Sequence, residues 1–271
     1  MISSGHNSSN LVWLRLDLRL TDNPALAAAV ERGGAVIPVF IHAPEEESPW
    51  LPGSASCWWL HQSLRELDAR LRERGSRLVI RRGPVLATLR ALVKETGATA
   101  VFWNRRYEPA VIARDAKAKE VLNAACLEVK CFNAGLLHEP WTIQNQSGKP
   151  FQVFTPFWKH CLNEPEPAEP LPAPKNISPP SKWPKSLALA QLKLEPEINW
   201  AAGMRATWQP GEAGAMENLR EFLSRAFDDY SEKRNRPDVA ARRAFRRICT
   251  SAKLVRVKSG TGCARWPQGG I

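Results

Sequence analysis

No stretch of the 271 residues approaches the roughly 20 apolar residues that a membrane-spanning helix needs. The first ten residues, MISSGHNSSN, are polar and lack the apolar centre of a secretory signal. Both absences argue for a cytoplasmic chain with no membrane partner. The six cysteines (Cys57, Cys126, Cys131, Cys161, Cys249 and Cys263) are scattered, and none makes the paired spacing of a zinc site. The five histidines form no helical i, i+4 pair and no cluster with the cysteines. Reduced thiols and no metal are expected. No G-x-G-x-x-G follows the first apolar run and no G-x-x-x-x-G-K-[ST] occurs, which removes nicotinamide enzymes and P-loop nucleotidases. The G-x-S-x-G elbow of hydrolases is also missing, so no nucleophile and no catalytic residue is assigned.

Negative charge is absent from one region in particular. Residues 241–271 hold eight Lys and Arg and no Asp or Glu, whereas the remainder carries only +3 of the total +11. The basic excess is thus a property of the tail.

What is present is a repeating pattern. Between Leu11 and Phe132, short apolar runs alternate with amphipathic stretches, as in a parallel sheet covered by helices on both faces. Strands are expected at 11–15, 36–42, 78–80, 100–103 and 128–132. Asn23-Pro24 and Glu108-Pro109 mark helix starts, and Ser54 or Ser56 is a candidate cap for a third. That third helix carries Leu60, Leu64, Leu67 and Leu71 on one face and ends near Gly75, and the next carries Leu86, Leu89, Leu92 and Val93 and ends at Gly97. Gly33-Gly34 reads as a helix-ending turn. The fold expected is α/β, a five-stranded, doubly wound, Rossmann-like parallel sheet.

Past residue 133 the alternation stops. Eight of the 22 prolines fall in 164–184, which reads as an extended linker outside any core. One further amphipathic helix, about 211–230, has Ala215, Leu219, Phe222, Leu223, Ala226 and Phe227 on one face with no evident partner. That exposed stripe predicts poor solubility, or proteolysis that leaves a stable fragment ending near residue 165–185. The eleven tryptophans are read as packing anchors.

In a doubly wound sheet, ligands bind beyond the carboxyl ends of the strands at the switch in strand order. The candidate loops are Arg15–Asp22, His42–Glu46 and Asn104–Glu108. Arg15, Arg19, Arg105 and Arg106 are suited to an anion, and Trp13, Trp103 and Tyr107 to a flat ring. An equally open reading makes Arg15, Asp17, Arg19 and Asp22 a structural ion-pair network.

The block LVWLRLDLRLTDNPAL at 11–26 resembles the opening of the DNA photolyase and cryptochrome family, R-x-D-L-R-x-x-D-N after a strand. Further matches follow in order: VIPVFIHAP at 36–44, WNRRYEP at 103–109 with ARD at 113–115, FQVFTPFWK at 151–159, W-x-P-G-E-x-G-A at 208–215 and RNRPD at 234–238. The resemblance implies an antenna domain at 11–133 after a disordered 1–10. An interdomain loop with the proline-rich linker at 134–207 and the start of an incomplete, all-α flavin-binding domain at 208–240 would follow. It implies deoxyribodipyrimidine photolyase descent, the light-driven repair of pyrimidine dimers in damaged double-stranded DNA. A cryptochrome-type photoreceptor fragment or a free-standing chromophore module are the alternatives.

By the same resemblance, the antenna pocket would draw on His42, Arg105, Arg106 and Glu108, Tyr230 would be a remnant of FAD contact and Arg234 a remnant of DNA contact. The antenna chromophore would be methenyltetrahydrofolate or a deazaflavin. Folate-binding members often have Asn-Glu after Y-E-x, where this chain has Ala110 and Val111. FAD is not expected to be retained, DNA binding is expected to be weak or absent, and the chain is expected to be a monomer, inactive alone. After Val239 the family continues G-T-S-x-L-S-P, and the genetic code allows residues 240–261, read one base out of frame, to encode GTSRLSPHLHFGEISPRQVWH. The tail at 241–271 is therefore expected to be out-of-frame sequence, which the coding DNA tests directly.

Overall fold

The computed structural model describes residues 8–48, 51–165, 168–225, 227, 230–233 and 236. Five parallel strands make one sheet: β1 (Ser9–Leu14), β2 (Ala35–His42), β3 (Val79–Arg82), β4 (Ala98–Asn104) and β5 (Glu128–Phe132). Their spatial order is β3-β2-β1-β4-β5, so the chain winds outward from β1 in one direction and then in the other. The switch lies between β1 and β4. Helices α1 (Pro24–Glu31), α2 (Ser54–Arg72), α3 (Val85–Thr96) and α4 (Pro109–Ala124) connect them.

Alternation along each strand divides the core. Val12, Leu14, Val36 and Phe40 face one layer with Leu26 of α1 and Leu64, Leu67 and Leu71 of α2. Leu11, Trp13, Ile37 and Val39 face the other with Leu89 and Leu92 of α3 and Leu122 of α4. Because β1 is buried on both faces, it reads as a continuous apolar run, as interior parallel strands do.

The expected helix signals act in different ways. Asn23 accepts from the Leu26 amide at 3.1 Å and caps α1. Gly97 closes α3 in the left-handed region at φ +62°. The Ser54 and Ser56 caps expected for α2 do not form: Gly53 is the cap residue and no side chain bonds the first turn. Gly34, at φ +78°, lies where a Cβ would run into the Ser8 backbone, so the turn needs glycine twice over.

The proline-rich stretch corrects the expectation of a linker lying outside the core. It is extended, but it lies on the sheet domain as a strap. The Asp22 amide donates to the Leu171 carbonyl at 2.7 Å, the Ile177 amide to Arg74 at 3.0 Å and the Val36 amide to Ser178 at 2.8 Å. Further on, Ser186 Oγ accepts from the Ile80 amide and the Leu187 amide donates to the Ile80 carbonyl, both at 2.9 Å. These contacts cover the edge strand β3, whose backbone groups would otherwise be open. Ile177, Leu192 and Leu194 join the first core layer. Proline rigidity explains why the strap is extended; only the spaced apolar residues explain why it adheres.

Beyond the strap lie α5 (Phe154–Asn163), a short α6 (Ala202–Thr207), α7 (Glu212–Arg225) and one turn, α8 (Tyr230–Lys233). The reading of α7 as a helix without a partner is corrected. Ala215, Leu219 and Phe222 are buried, and Leu223 alone of the stripe's large described side chains in α7 stays exposed. Its first residue, Glu212, is buried and accepts from the Leu20 amide at 2.9 Å, the Thr21 amide at 3.2 Å and the Arg70 guanidinium. Gly214 lies so close to the Gln209 carbonyl that any Cβ would collide with it. The W-x-P-G-E-x-G-A stretch is therefore the clasp that docks α7. By contrast, α5 buries no residue and presents Phe154, Trp158 and Leu162. The tryptophans follow the same division: Trp13, Trp58 and Trp103 anchor the core, whereas Trp141, Trp158 and Trp200 are exposed.

Candidate functional site

The R-x-D-L-R-x-x-D-N run becomes a knot at the switch point. The Arg15 amide donates to Asp17 Oδ1 at 2.8 Å, and Asn104 at the end of β4 donates to Asp17 Oδ2 at 2.6 Å and to Asn23 Oδ1 at 2.8 Å. Asn104 Oδ1 in turn accepts from the Ala25 amide at 3.1 Å. Arg19 is buried and donates to the carbonyls of Thr21, Asp22 and Ala134. For Asp17, Arg19 and Asp22 the structural alternative holds, because these groups tie β1, β4 and the segment after β5 together. Arg15 differs: its guanidinium pairs with Asp115 and lies over the Trp13 ring, and the residue lines a cavity.

Two cavities open at this end of the sheet. The larger, about 440 Å³, is bounded by Leu16, Asp17 and Arg19, by Asn104–Glu108 and by Ala134–Leu136. The smaller, about 130 Å³, lies over the ends of β1 and β2, bounded by Trp13, Arg15, His42, Glu47, Arg106 and Arg114 among others. Leu16 and Arg106 line both.

The residues proposed for the pocket meet here in part. Arg105, Arg106 and Glu108 line the larger cavity; His42 and Arg106 line the smaller. Arg106 is held by Glu47 and, at 2.8 Å, by Glu108. Burial disfavours its charge, but those two carboxylates outweigh it and raise its pKa above the ordinary arginine value. Burial likewise works against ionisation of Glu108, yet the hydrogen bond from Arg106 keeps its carboxyl below the usual range. Burial, then the nearby Arg82, pushes His42 down, which favours a neutral imidazole. Arg105 pairs with Glu139 at 2.6 Å and lies 5.6 Å from the Trp141 ring. Tyr107 donates to Glu139 at 2.8 Å, and burial with that carboxylate raises the phenol's pKa, so it stays protonated.

Trp103, expected to flank a ring, is instead buried edge-on against Trp13, with centroids 5.6 Å apart. Tyr230 rests edge-on against Phe222 at 5.5 Å. Arg234 and the 241–271 tail lie outside the described residues.

Sequence reasoning missed Glu47, Arg114, Asp115 and Glu139. For Asp115 a signal existed. Val111, Ala118 and Leu122 are the buried stripe of α4, and Asp115 falls on that same stripe at i+4 from Val111. A carboxylate in an apolar stripe needs a partner, and Asp115 takes Arg15 and Arg114. Glu47 and Glu139 lie in irregular segments whose periodicity carries no such sign.

Among the described residues, no group of three or more His, Cys, Asp or Glu could hold a metal, and no helix is long and apolar enough to cross a membrane. The family model for DNA photolyase matches residues 10–175. A deoxyribodipyrimidine photo-lyase of Agrobacterium fabrum is 45% identical over 228 residues, which is 84% of this chain and 47% of that one. Cryptochrome-1 of Arabidopsis thaliana is 41% identical over 240 residues, 87% of this chain and 35% of its own. The crystal structure of a bacterial class III photolyase from Agrobacterium tumefaciens superposes with a TM-score of 0.88 at 41% identity, covering 94% of this chain and 52% of that one. The chain thus spans between about a third and a half of these relatives. With a doubly wound sheet knotted at its switch point and a family match over most of its described length, the chain belongs to the DNA photolyase family.

Proposed function

We propose that this chain is the chromophore-holding α/β part of a light-driven deoxyribodipyrimidine photolyase, with DNA repair belonging to the larger relatives and not to this chain alone. The observation that carries the reading is the cavity of about 440 Å³ at the β1/β4 switch. Its size falls within the range of small-molecule sites, and its position is where open α/β sheets bind ligands. The lining suits a flat heterocycle with polar edges. Leu16 and the Tyr107 ring give apolar walls, while Arg105, Arg106 and Glu108 supply donors and an acceptor.

When bound, a methenyltetrahydrofolate or deazaflavin antenna supplies absorption in the near-ultraviolet or blue and passes excitation energy on. The protein's own part is to bind and orient. The Arg106–Glu108 and Arg105–Glu139 pairs fix the polar side chains before a ligand arrives, and Tyr107 stays protonated as a donor. His42 bounds the adjoining cavity. For FAD the fit is poor. Tyr230, packed on Phe222, is one aromatic ring without a phosphate cradle around it among the described residues, so no step is assigned to a flavin there. In this proposal Tyr230 and Arg234 are remnants of FAD and DNA contacts, and the domain division is the one given above.

The test is to purify the full chain, add each antenna candidate and record absorbance and affinity. Saturable binding of one, weakened about tenfold or more by Arg106→Ala, is expected, with no light-dependent splitting of pyrimidine dimers. Tight FAD and dimer splitting by this chain alone would overturn the division of labour, and failure of both antenna candidates to bind would overturn the chromophore reading.

A further inference from the structure

Every arginine on the wall of the larger cavity lies beside a carboxylate. Arg105 donates to Glu139 at 2.6 Å, and Tyr107 donates to the other oxygen of that carboxylate at 2.8 Å. Arg106 pairs with Glu47 and, at 2.8 Å, with Glu108. Arg19 lies 3.8 Å from Asp22 and donates to the Asp22 and Ala134 carbonyls. Asp17, on the same wall, is met by neutral donors instead, the Arg15 amide at 2.8 Å and Asn104 at 2.6 Å.

The smaller cavity adds no positive excess. Arg15 and Arg114 share Asp115, Arg114 also reaches Glu47 at 3.9 Å, and His42 is kept neutral by burial and Arg82. Among the described residues that line the two cavities or form ion pairs with their lining, five arginines meet six carboxylates: Asp17, Asp22, Glu47, Glu108, Asp115 and Glu139. Two groups report the resulting field. Burial opposes the charge of Arg106, yet Glu47 and Glu108 outweigh it; burial and then Glu139 hold the Tyr107 phenol protonated against the nearby Arg105. Both directions are those of a place that favours positive charge over negative. An ionised ring entering here would give up water beside Asp17 and Glu108 and meet no unmatched cation. A neutral ring uses the N–H donors of Arg105 and Arg106 and the Glu108 acceptor without adding charge.

Given the chromophore reading of the larger cavity, on which this rests, we propose that its lining selects the charge of the ring: a planar heterocycle is admitted in its uncharged or cationic form, and the same ring is rejected as an anion.

The test titrates two probes into the full chain at neutral pH and in mild alkali. Lumazine, a two-ring pteridine, loses a ring proton over that range; 1,3-dimethyllumazine has no such proton. Carboxylates and arginines do not titrate there. Tyr107 keeps its proton, His42 is already neutral, and burial holds the Cys131 thiol up. Neutral lumazine should bind about tenfold more tightly than its anion, so the bound ring should lose its proton about one pH unit later than the free ring, read from its absorbance. The affinity of 1,3-dimethyllumazine should not change. Glu139→Gln keeps an acceptor for Arg105 and Tyr107 and removes one negative charge, so it should narrow the preference about threefold or more. Glu47→Gln does the same beside Arg106 and serves if the first variant fails to fold. An anion bound as tightly as the neutral ring, or an equal loss of both probes as the pH rises, overturns the charge selection and leaves the cavity its ring. So does an unchanged preference in both variants, because desolvation alone would then account for it. Binding of neither probe at neutral pH overturns the chromophore reading, and the charge selection with it.

Discussion

Replacing Glu212 with Ala should undock α7 while the sheet stays folded. The Glu212 carboxylate is buried at the junction, where it accepts from two backbone amides and from Arg70. Its removal strands the buried Leu20 amide and the half-buried Thr21 amide, at about 1–3 kcal/mol each when no acceptor replaces it. Arg70 loses less, since it is 21% exposed and has Glu66 at 3.7 Å. With the half-buried Thr21 amide at the low end of that range, about 1 kcal/mol, the sum is about 2–4 kcal/mol for docking, roughly a 30- to 1,000-fold shift toward the open state. Hydrogen exchange reads it directly. Amides of α7 should lose protection by that factor, while those of β1 and β4, in the separate sheet core, should be unchanged. Leu20 and Thr21 belong to the loop that also carries Leu16, Asp17 and Arg19 on the cavity wall, so ligand affinity should fall as well. Unchanged protection across 212–222 would refute the docking role of Glu212.

Ile177→Ala should cost about 2–5 kcal/mol in denaturant unfolding if the strap is core, against almost nothing if it were a free linker. Gly214→Ala should loosen α7, seen as faster proteolysis after Trp208, because the new Cβ meets the Gln209 carbonyl. Limited digestion should yield a stable fragment that keeps the strap through Leu194, so a stable product ending at 165–185 would contradict the packing of Ile177 and Leu192. His42 and His61 are both depressed chiefly by burial. The unfolded chain therefore binds protons first, and the stability from their neutral forms, full above about pH 6.5, falls as the pH drops toward the lower folded values. A His42→Gln, His61→Gln pair should flatten the pH dependence of urea unfolding below about pH 6.5.

Much of the layout was legible because it depends on local chemistry. The five apolar runs, Asn23 before Pro24 and Gly97 after α3 each specify an element from within a few residues. The rule that ligands sit beyond the strand ends then named the loops that line both cavities. What was not legible depended on contacts distant in sequence. Arg15 with Asp115 and Glu212 with Leu20 are 100 and 192 residues apart, and no periodicity records such pairings.

Sequence alone determined the doubly wound sheet, its helices and the strand-end loops at which the two cavities open, because alternation and capping act over one turn or one strand. Tertiary structure alone decided three matters: that the proline-rich stretch is a strap, that α7 is docked, and which partners each arginine meets. Each turns on whether a polar or apolar group finds its partner across the fold. Arg19 finds carbonyl partners at Thr21, Asp22 and Ala134, while the Nε/Nη2 edge of Arg15 finds none among the described residues.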